Sequence, residues 1–154
     1  MKTPDQLTDL FRARGLKVTP QRQCIFRVLH GSTVHPTAEA VHAQVVGEMP
    51  TVSLRTVYQV LNDLAAMGEL TSIDVGTGST RFDPTLDPHH HLVCDGCGRI
   101  HDLHADFGEV AVPSDAGMGF TVTATEIVFR GLCGDCQAAH AAGSTAPGEH
   151  LHHA

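Results

Sequence analysis

The chain has 154 residues, a formal net charge of −7 and 42% hydrophobic residues. This length suits one ordinary domain or two small ones, and no apolar run approaches the roughly 20 residues of a membrane-spanning helix. Because Trp is absent and aromatic residues make up only 5% of the chain, a packed core has to be mainly aliphatic. The composition therefore excludes transmembrane helices and predicts no membrane partner.

Charge is distributed unevenly along the chain. Residues 1–83 carry eight basic and eight acidic residues, whereas residues 84–154 carry two and nine. Residues 1–30 carry six basic and two acidic residues, and nine of the twelve His lie beyond residue 83. The acidic half should not approach nucleic acid, but the basic N-terminal end is suited to it. We place a domain boundary near residues 85–88.

Capping residues and apolar periodicity predict four helices in the first half. The first begins at Thr3 and Pro4, where Gln6 completes a capping pattern, and ends at Gly15. Two more are predicted over residues 20–31 and 37–49. The fourth follows Ser53 and extends to residue 67, with apolar residues on one face only.

Two short strands, at 70–75 and 79–83, are predicted around a glycine turn and form a β-hairpin. Helices followed by a hairpin are the order of a winged helix-turn-helix, whose last helix before the hairpin enters the major groove of DNA. A small helical domain with a solvated polar face is the alternative, and local pattern alone leaves both open.

The second half is predicted to contain strands at 92–94, 99–103 and 120–129. Residues 105–118 are interrupted by glycine and proline, so any helix there is short or broken. A terminal helix is predicted at 137–142. Residues 143–154 have no apolar periodicity, and we expect a disordered tail.

Two cysteine pairs with two intervening residues are the most informative motif. Cys94 and Cys97 form the first pair, and Cys133 and Cys136 form the second. Four thiolates at this spacing suit a closed tetrahedral zinc site, and two disulfides are the alternative. The chain begins without a signal segment, so we expect a cytoplasmic protein with reduced thiols. Cys24 lies in an apolar helical pattern and is expected to be a buried, inert thiol.

Histidines lead directly into the first cysteine pair. His89 and His91 are two residues apart, so on an extended segment they face the same side and are able to share a metal. His35 precedes a proline and, without further information, is equally a solvated loop residue. His101 and His104 are three residues apart, and we expect any metal binding by this pair to be adventitious. We expect the three tail histidines, His150, His152 and His153, to be solvated.

Six segments, in this order, resemble the ferric uptake regulator (Fur) superfamily of bacterial metal-dependent repressors. They are VTPQR at 18–22, HPTAE at 35–39, TVYQVL at 56–61, RFD at 81–83, HHHLVCDGCG at 89–98 and GLCGDC at 131–136. The resemblance covers about residues 5–137 and implies an α+β fold. It implies a winged helix-turn-helix DNA-binding domain at 1–84, a hinge contributing metal ligands at 85–91, and a small α/β dimerisation and metal-binding domain at 92–142.

The resemblance also implies two metal sites. The structural zinc ligands would be Cys94, Cys97, Cys133 and Cys136, and the regulatory metal ligands would be His35, Asp83, His89, His91 and Asp102. A regulatory metal held by both halves would fix them in one orientation, which is what a ligand-biased hinge requires. His90 and Glu109 resemble part of a further site. That site is expected to be incomplete, because Thr125 stands where other members carry His and Pro88 replaces a further ligand.

Three imidazoles and two carboxylates without a thiolate suit Fe(II) or Mn(II). Asp102, where many iron sensors carry Glu, resembles the peroxide-sensing PerR branch, as do HPTA at 35–38 and RFD at 81–83. The short stretch 105–118, broken by glycine and proline, resembles the actinobacterial FurA and CatR proteins. In that branch, bound Fe(II) reacts with hydrogen peroxide and oxidises a ligand His, which releases the DNA. His35 and His89 are the candidates here, and an iron-level-sensing repressor is the alternative.

The resemblance makes residues 53–67 the recognition helix of a homodimer on a palindromic operator. Contacts to bases or phosphates are expected from Arg55, Thr56, Tyr58 and Gln59. Phosphate contacts from the N-terminal end are expected from Arg12, Arg14, Lys17 and Arg22.

Two other classes of function are open to the metal motifs. A zinc hydrolase needs an open water position and a general base, but the sequence has no H-E-x-x-H motif, so we expect neither enzymatic activity nor a small-molecule substrate. A zinc-ribbon interaction module without DNA binding explains the cysteines but not the helical half or His35.

Overall fold

The chain divides into two units, residues 1–88 and 89–154, in a computed structural model of the protein. The structure describes residues 1–30, 32, 34–74, 76, 78–108, 110–113, 115 and 117–143. Within these residues no helix has the length and apolar character needed to cross a bilayer.

Unit 1 begins with the four predicted helices. They are α1 at Pro4–Ala13, α2 at Pro20–His30, α3 at Ala38–Glu48 and α4 at Leu54–Ala66. Side-chain oxygens of Thr3, Thr37 and Ser53 accept backbone N–H groups at the starts of α1, α3 and α4. Each of these bonds satisfies a donor that the helix itself leaves without an acceptor, which is why these residues set the helix starts.

The core of unit 1 forms where α2 packs against α1, α3 and α4. It is aliphatic apart from three buried Phe, and the rings of Phe11 and Phe26 meet edge to face with centroids 4.9 Å apart. Cys24 is fully buried here, as predicted. Burial raises the pKa of its thiol, with a further contribution from Glu48, so Cys24 stays protonated and unreactive at neutral pH.

The predicted hairpin is present but shorter than expected. Strand β1 spans Thr71–Ile73 and pairs antiparallel with β2 at Arg81–Asp83. Residues 79 and 80 stay outside the ladder and are exposed, whereas Phe82 is buried, so pairing extends only where the strand packs on the core. Four helices followed by this hairpin complete the winged helix-turn-helix order.

Unit 2 is built on a three-stranded sheet. Strand β3 spans His90–Cys94, β4 spans Ile100–Leu103 and β5 spans Val128–Gly131, and helix α5 spans Gly134–Gly143. The order is β4-β3-β5, with β3 antiparallel to β4 and parallel to β5. Strand β3 begins two residues before the predicted start, because His90 and His91 pair with Leu103 and Asp102 of β4. Helix α5 also begins three residues earlier than predicted.

The strand predicted at 120–129 is wrong over most of its length. Only Val128 and Phe129 belong to β5, and no described residue from 120 to 127 lies in a strand. The segment is rich in β-branched residues, but residues 120–126 are exposed, with Phe120 81% exposed, so little packing holds a strand in place. A ladder needs a partner, and β3 supplies one to β5 only from His91 to Cys94.

Apolar burial is sparse in unit 2. Within its described part, the buried hydrophobic residues are Val93, Cys94 and Ile100. A core of this size does not by itself offset the conformational entropy lost on folding. The expected tail at 143–154 lies, from residue 144 onward, outside the described residues.

We expect Phe26→Ala to lower the free energy of unfolding of unit 1 by about 3–5 kcal/mol, because it removes a fully buried ring. Urea unfolding followed by helical circular dichroism measures this. Val34→Ala is the control, since Val34 is 56% exposed, and its effect should stay within about 0.5 kcal/mol. Equal effects of the two changes would contradict this description of the core.

Candidate metal centre

The four cysteines of the two pairs come together in unit 2. Their sulfur atoms lie within 4.8 Å of one another, and all are free thiols. Cys97 Sγ and Cys133 Sγ are 3.8 Å apart, far beyond the roughly 2.05 Å of a disulfide. A separation of about 3.8 Å follows from two Zn–S bonds of about 2.3 Å at the tetrahedral angle. The geometry therefore fits the tetrathiolate zinc site and not the disulfide alternative.

Backbone N–H groups prepare one of these sulfurs for a metal. The N–H of Cys133 donates to Cys94 Sγ over 3.2 Å, and with the N–H groups of Cys97 and Gly96 it lowers the pKa of Cys94 to about 6. Hydrogen bonds with the sulfurs of Cys133, Cys94 and Cys97 instead raise the pKa of Cys136 to about 12. Four clustered thiolates repel one another, so all four ionise at neutral pH only when a cation supplies compensating charge.

The approach of the two cysteine pairs depends on Gly96. A Cβ at this position would lie 2.9 Å from Cys136 Sγ and 3.2 Å from a methyl group of Leu132. The contact with Sγ is shorter than real Cβ contacts, so a side chain at this position would push the cysteine pairs apart. Gly98, just after the first pair, has φ +69°, a left-handed conformation that favours glycine.

Two ion pairs that the sequence did not reveal link the cysteine pairs reciprocally. Asp95 of the first pair contacts Arg130, which precedes the second pair, at 3.1 Å. Asp135 of the second pair contacts Arg99, which follows the first, at 3.0 Å. Both are partly exposed, so each contributes at most about 1 kcal/mol, but together they favour the same arrangement as the metal.

In unit 1 the structure brings His35 beside Asp83. Their Nε2 and Oδ1 atoms are 3.6 Å apart, and each side chain is 2% exposed. The loop bearing His35 is attached to β2, since the Phe82 N–H donates to the Pro36 carbonyl over 3.0 Å. The Arg81 guanidinium donates to the His35 carbonyl over 3.3 Å. The alternative of His35 as a solvated loop residue is therefore wrong.

In unit 2 two imidazoles and a carboxylate converge. The Nε2 atoms of His89 and His91 are 3.0 Å apart, and Asp102 Oδ1 lies 3.5 Å from the first and 4.0 Å from the second. His91 and Asp102 are direct partners in the β3–β4 register, which explains their proximity. Two nitrogens bound to one ion at about 2.1 Å and nearly at right angles lie about 3 Å apart, so this set fits a metal.

His90 has a different environment from its neighbours. Its Nδ1 accepts the Ile127 N–H over 3.2 Å, and its ring contacts Phe107 with centroids 5.1 Å apart. Its predicted partner Glu109 lies outside the described residues, so the further site stays a prediction. In the pair predicted to bind metal adventitiously, His104 stacks on the His89 ring with centroids 5.4 Å apart, and His101 is exposed.

Sequence reasoning missed Glu126. Its Oε1 lies 2.8 Å from Nδ1 of His91. A lone Glu in a Thr-rich segment carries no pattern that points to a metal site. The contact arises only because β5 runs beside β3.

The predicted DNA-contacting residues of α4 divide into two kinds. Arg55, Tyr58 and Gln59 are exposed, whereas Thr56 is half-buried and its hydroxyl lies 2.9 Å from the capping hydroxyl of Ser53. The Tyr58 hydroxyl donates to Glu39 Oε1 over 2.7 Å, and this bond raises the pKa of Tyr58. The Thr56 hydroxyl therefore contacts the N-cap residue of α4 and is less accessible than the other three side chains.

Three of the predicted N-terminal phosphate contacts are exposed, namely Arg12, Arg14 and Lys17. Arg22 is different. Its guanidinium donates to the Lys17 carbonyl over 2.8 Å, lies 3.6 Å from an Asp63 carboxylate oxygen and covers the Phe11 ring at 5.4 Å. Arg22 therefore joins α2 to α1 and α4, a structural role that the sequence did not indicate.

Comparison with known proteins agrees with this architecture. The model of the ferric uptake regulator family matches residues 13–129. The peroxide-responsive repressor PerR of Staphylococcus saprophyticus is 35% identical over 134 residues, which cover 86% of this chain and 90% of that protein.

Two solved structures show the same fold. The Helicobacter pylori ferric uptake regulator, described as having three functional metal binding sites, is 20% identical with a TM-score of 0.68 over 86% of this chain and 90% of that chain. The Vibrio cholerae ferric uptake regulator is 27% identical with a TM-score of 0.64 over 81% and 98%. The chain belongs to the ferric uptake regulator family.

Proposed function

We propose that this metal-dependent regulator is a peroxide-responsive repressor, which binds operator DNA as a homodimer while its regulatory site holds Fe(II) or Mn(II). The observation that carries the proposal is the set of His89, His91 and Asp102, which offers nitrogen and oxygen donors and no thiol. Such a set suits Fe(II) or Mn(II). The likeness to a peroxide-responsive repressor over most of both chains supports the same function.

We assign the two cysteine pairs to structural zinc. A site with four protein ligands leaves no position open for a substrate, so its role is to hold the fold. The small core of unit 2 makes that role necessary, because metal binding then supplies folding free energy. Free thiols also fit a reducing compartment, which supports the cytoplasmic location that we propose.

We propose residues 92–142 as the dimerisation domain. Unit 2 exposes many large apolar side chains, and exposed apolar surface of this kind marks interaction sites. The most exposed are Val110, Val112, Met118, Phe120 and Val122. A second copy of the chain is the partner that a symmetric operator requires.

We propose that His35 and Asp83 join His89, His91 and Asp102 around one regulatory ion, as the family resemblance implies. His35 and Asp83 support this because both are buried and bring only nitrogen and oxygen donors. An ion bound by residues of both units stabilises the arrangement of units in which all its ligands meet. The hinge proposed at 85–91 would absorb the change when the ion is lost.

Bound Fe(II) supplies the electron-transfer chemistry that activates hydrogen peroxide. The residues that this chain contributes are His35 and His89, whose imidazoles we propose as the sites of oxidation. Oxygen added to either ring removes a ligand, which weakens metal binding and thereby DNA binding. An iron-level sensor with the same ligands would lose its ion by dissociation instead, without a change to the protein.

For DNA recognition we propose residues 1–84 as the binding domain, with α4 in the major groove. Arg55 and Gln59 are exposed on α4 and offer the donors and acceptors that base edges require. Tyr58 would join them, oriented by Glu39. The exposed Arg12, Arg14 and Lys17 supply positive charge for phosphates.

We expect Gly96→Ala to weaken zinc binding by roughly 5-fold or more, since the added methyl group overlaps Cys136 Sγ and overpacking typically costs about 1–3 kcal/mol. Zinc transfer to a chromogenic chelator measures this. Gly134→Ala is the matched control in the second pair, where an added Cβ meets nothing within 4 Å. Equal zinc retention in both variants would contradict the site.

We expect Arg55→Ala to weaken binding to DNA at least 10-fold and to flatten its salt dependence, because it removes a cation from the recognition helix. The probe is a site selected from random DNA by the Mn(II)-loaded protein, and that site should be an inverted repeat. Arg27→Ala removes an exposed Arg of α2 that pairs with Glu48 of α3, and this variant should bind as the wild type does. Unchanged affinity of Arg55→Ala would remove Arg55 from the interface.

The peroxide response is tested by an anaerobic gel shift on the selected site with Fe(II), Mn(II) and Zn(II), each before and after hydrogen peroxide. We expect peroxide to abolish the shift of the Fe(II) form only. Mass spectrometry should then find added oxygen in the peptide bearing His35 or His89. A peroxide-insensitive Fe(II) form would instead establish iron-level sensing. If no metal causes a gel shift, the zinc-ribbon interaction module without DNA binding becomes the supported function.

A further inference from the structure

We propose that Glu126 is a positioning residue of the regulatory metal site: its carboxylate accepts the Nδ1–H of His91 and thereby presents the Nε2 lone pair of that ring to the ion. The inference deepens the proposed function and rests on His91 being a ligand there. Glu126 itself is not one of the five proposed ligands.

The contact is short and one of its partners is buried. Glu126 Oε1 lies 2.8 Å from Nδ1 of His91, whose side chain is only 4% exposed. An ionised carboxylate is only an acceptor, so Nδ1 has to carry the proton. In the neutral ring the lone pair then sits on Nε2. That nitrogen lies 3.0 Å from His89 Nε2 and 4.0 Å from Asp102 Oδ1, at the point where the donors converge.

Backbone contacts hold Glu126 in this place. The N–H of His91 donates to the Ile127 carbonyl over 3.0 Å, and the Ile127 N–H donates to Nδ1 of His90 over 3.2 Å. The parallel ladder continues from there, with Val128 opposite His91. The backbone next to Glu126 is therefore held by hydrogen bonds to His91 and His90 that do not involve the Glu126 carboxylate.

The chemical consequence concerns both orientation and charge. A carboxylate on the far nitrogen of a ligating imidazole fixes the tautomer and the ring plane and makes the metal-facing nitrogen more basic. Loss of such a partner typically weakens metal binding by about 10-fold to 100-fold. The two ring nitrogens point in different directions, so a carboxylate bound at Nδ1 faces away from an ion bound at Nε2.

The metal test uses Mn(II), which does not react with the protein, added to chains that carry one structural zinc. Free Mn(II), measured by electron paramagnetic resonance, reports the affinity. We expect Glu126→Ala to bind Mn(II) at least 10-fold more weakly. Glu126→Gln should lie between Glu126→Ala and the wild type, because its amide oxygen accepts the bond without the charge. Asp115→Asn, which removes one carboxylate from an exposed residue of the same unit, is the matched control and should bind as the wild type does.

A second measurement needs no regulatory metal. Nitrogen-15 spectra of the His91 ring in the zinc-only protein report its tautomer. We expect protonated Nδ1 in the wild type and in Glu126→Gln, and a shift toward protonated Nε2 in Glu126→Ala. A structural role unrelated to the ring would leave this tautomer unchanged.

Three results would overturn the inference. The first is wild-type Mn(II) affinity and an unchanged His91 tautomer in Glu126→Ala. The second is complete loss of Mn(II) binding in both Glu126 variants, equal to that of His91→Ala, which would make Glu126 a ligand. The third is Mn(II) binding by the wild type that His91→Ala does not affect, or no Mn(II) binding at all. This third result alone would also overturn the proposed regulatory site, so the two failures are distinguishable.

Discussion

The pairing of β3 with strands on both of its sides is the constraint on which the chemistry of unit 2 depends. Its antiparallel partner β4 places Asp102 opposite His91. Its parallel partner β5 leads into the second cysteine pair, since Gly131 pairs with Cys94 and the Cys133 N–H reaches the Cys94 sulfur. A register shift of one residue in either pairing would turn these side chains to the opposite face. One five-residue strand therefore aligns the cysteine cluster together with the proposed regulatory ligands.

The zinc site and the sheet depend on each other. Few apolar residues are buried in the described part of unit 2, so packing alone gives the sheet little stability. The four sulfurs, in turn, repel one another as thiolates unless a cation is present. Backbone donors, Gly96 and the reciprocal Asp–Arg pairs bring the thiols to tetrahedral spacing. Metal binding then converts this repulsion into folding free energy.

Unit 1 has the opposite character, because its helices bury a continuous apolar core without a metal ligand among them. That rigidity leaves the outer face of α4 free to carry polar side chains, and it holds His35 and Asp83 together at the end of the hairpin. The same unit thus presents a surface suited to DNA and two donors suited to a metal. This is the physical basis for the proposed coupling between metal occupancy and DNA binding.

The sequence by itself determined the elements whose causes are local. Caps and apolar periodicity located all four helices of unit 1. The cysteine spacing predicted the first donor set and the histidine spacing predicted His89 and His91, whereas the family resemblance added His35, Asp83 and Asp102. Only the tertiary structure decided the rest. Residues 120–127 have strand propensity but gain no strand partner, Arg22 supports α2, and Glu126 meets His91 across two strands. Local propensity has no information about such contacts, because they depend on which distant segments the backbone hydrogen bonds bring side by side.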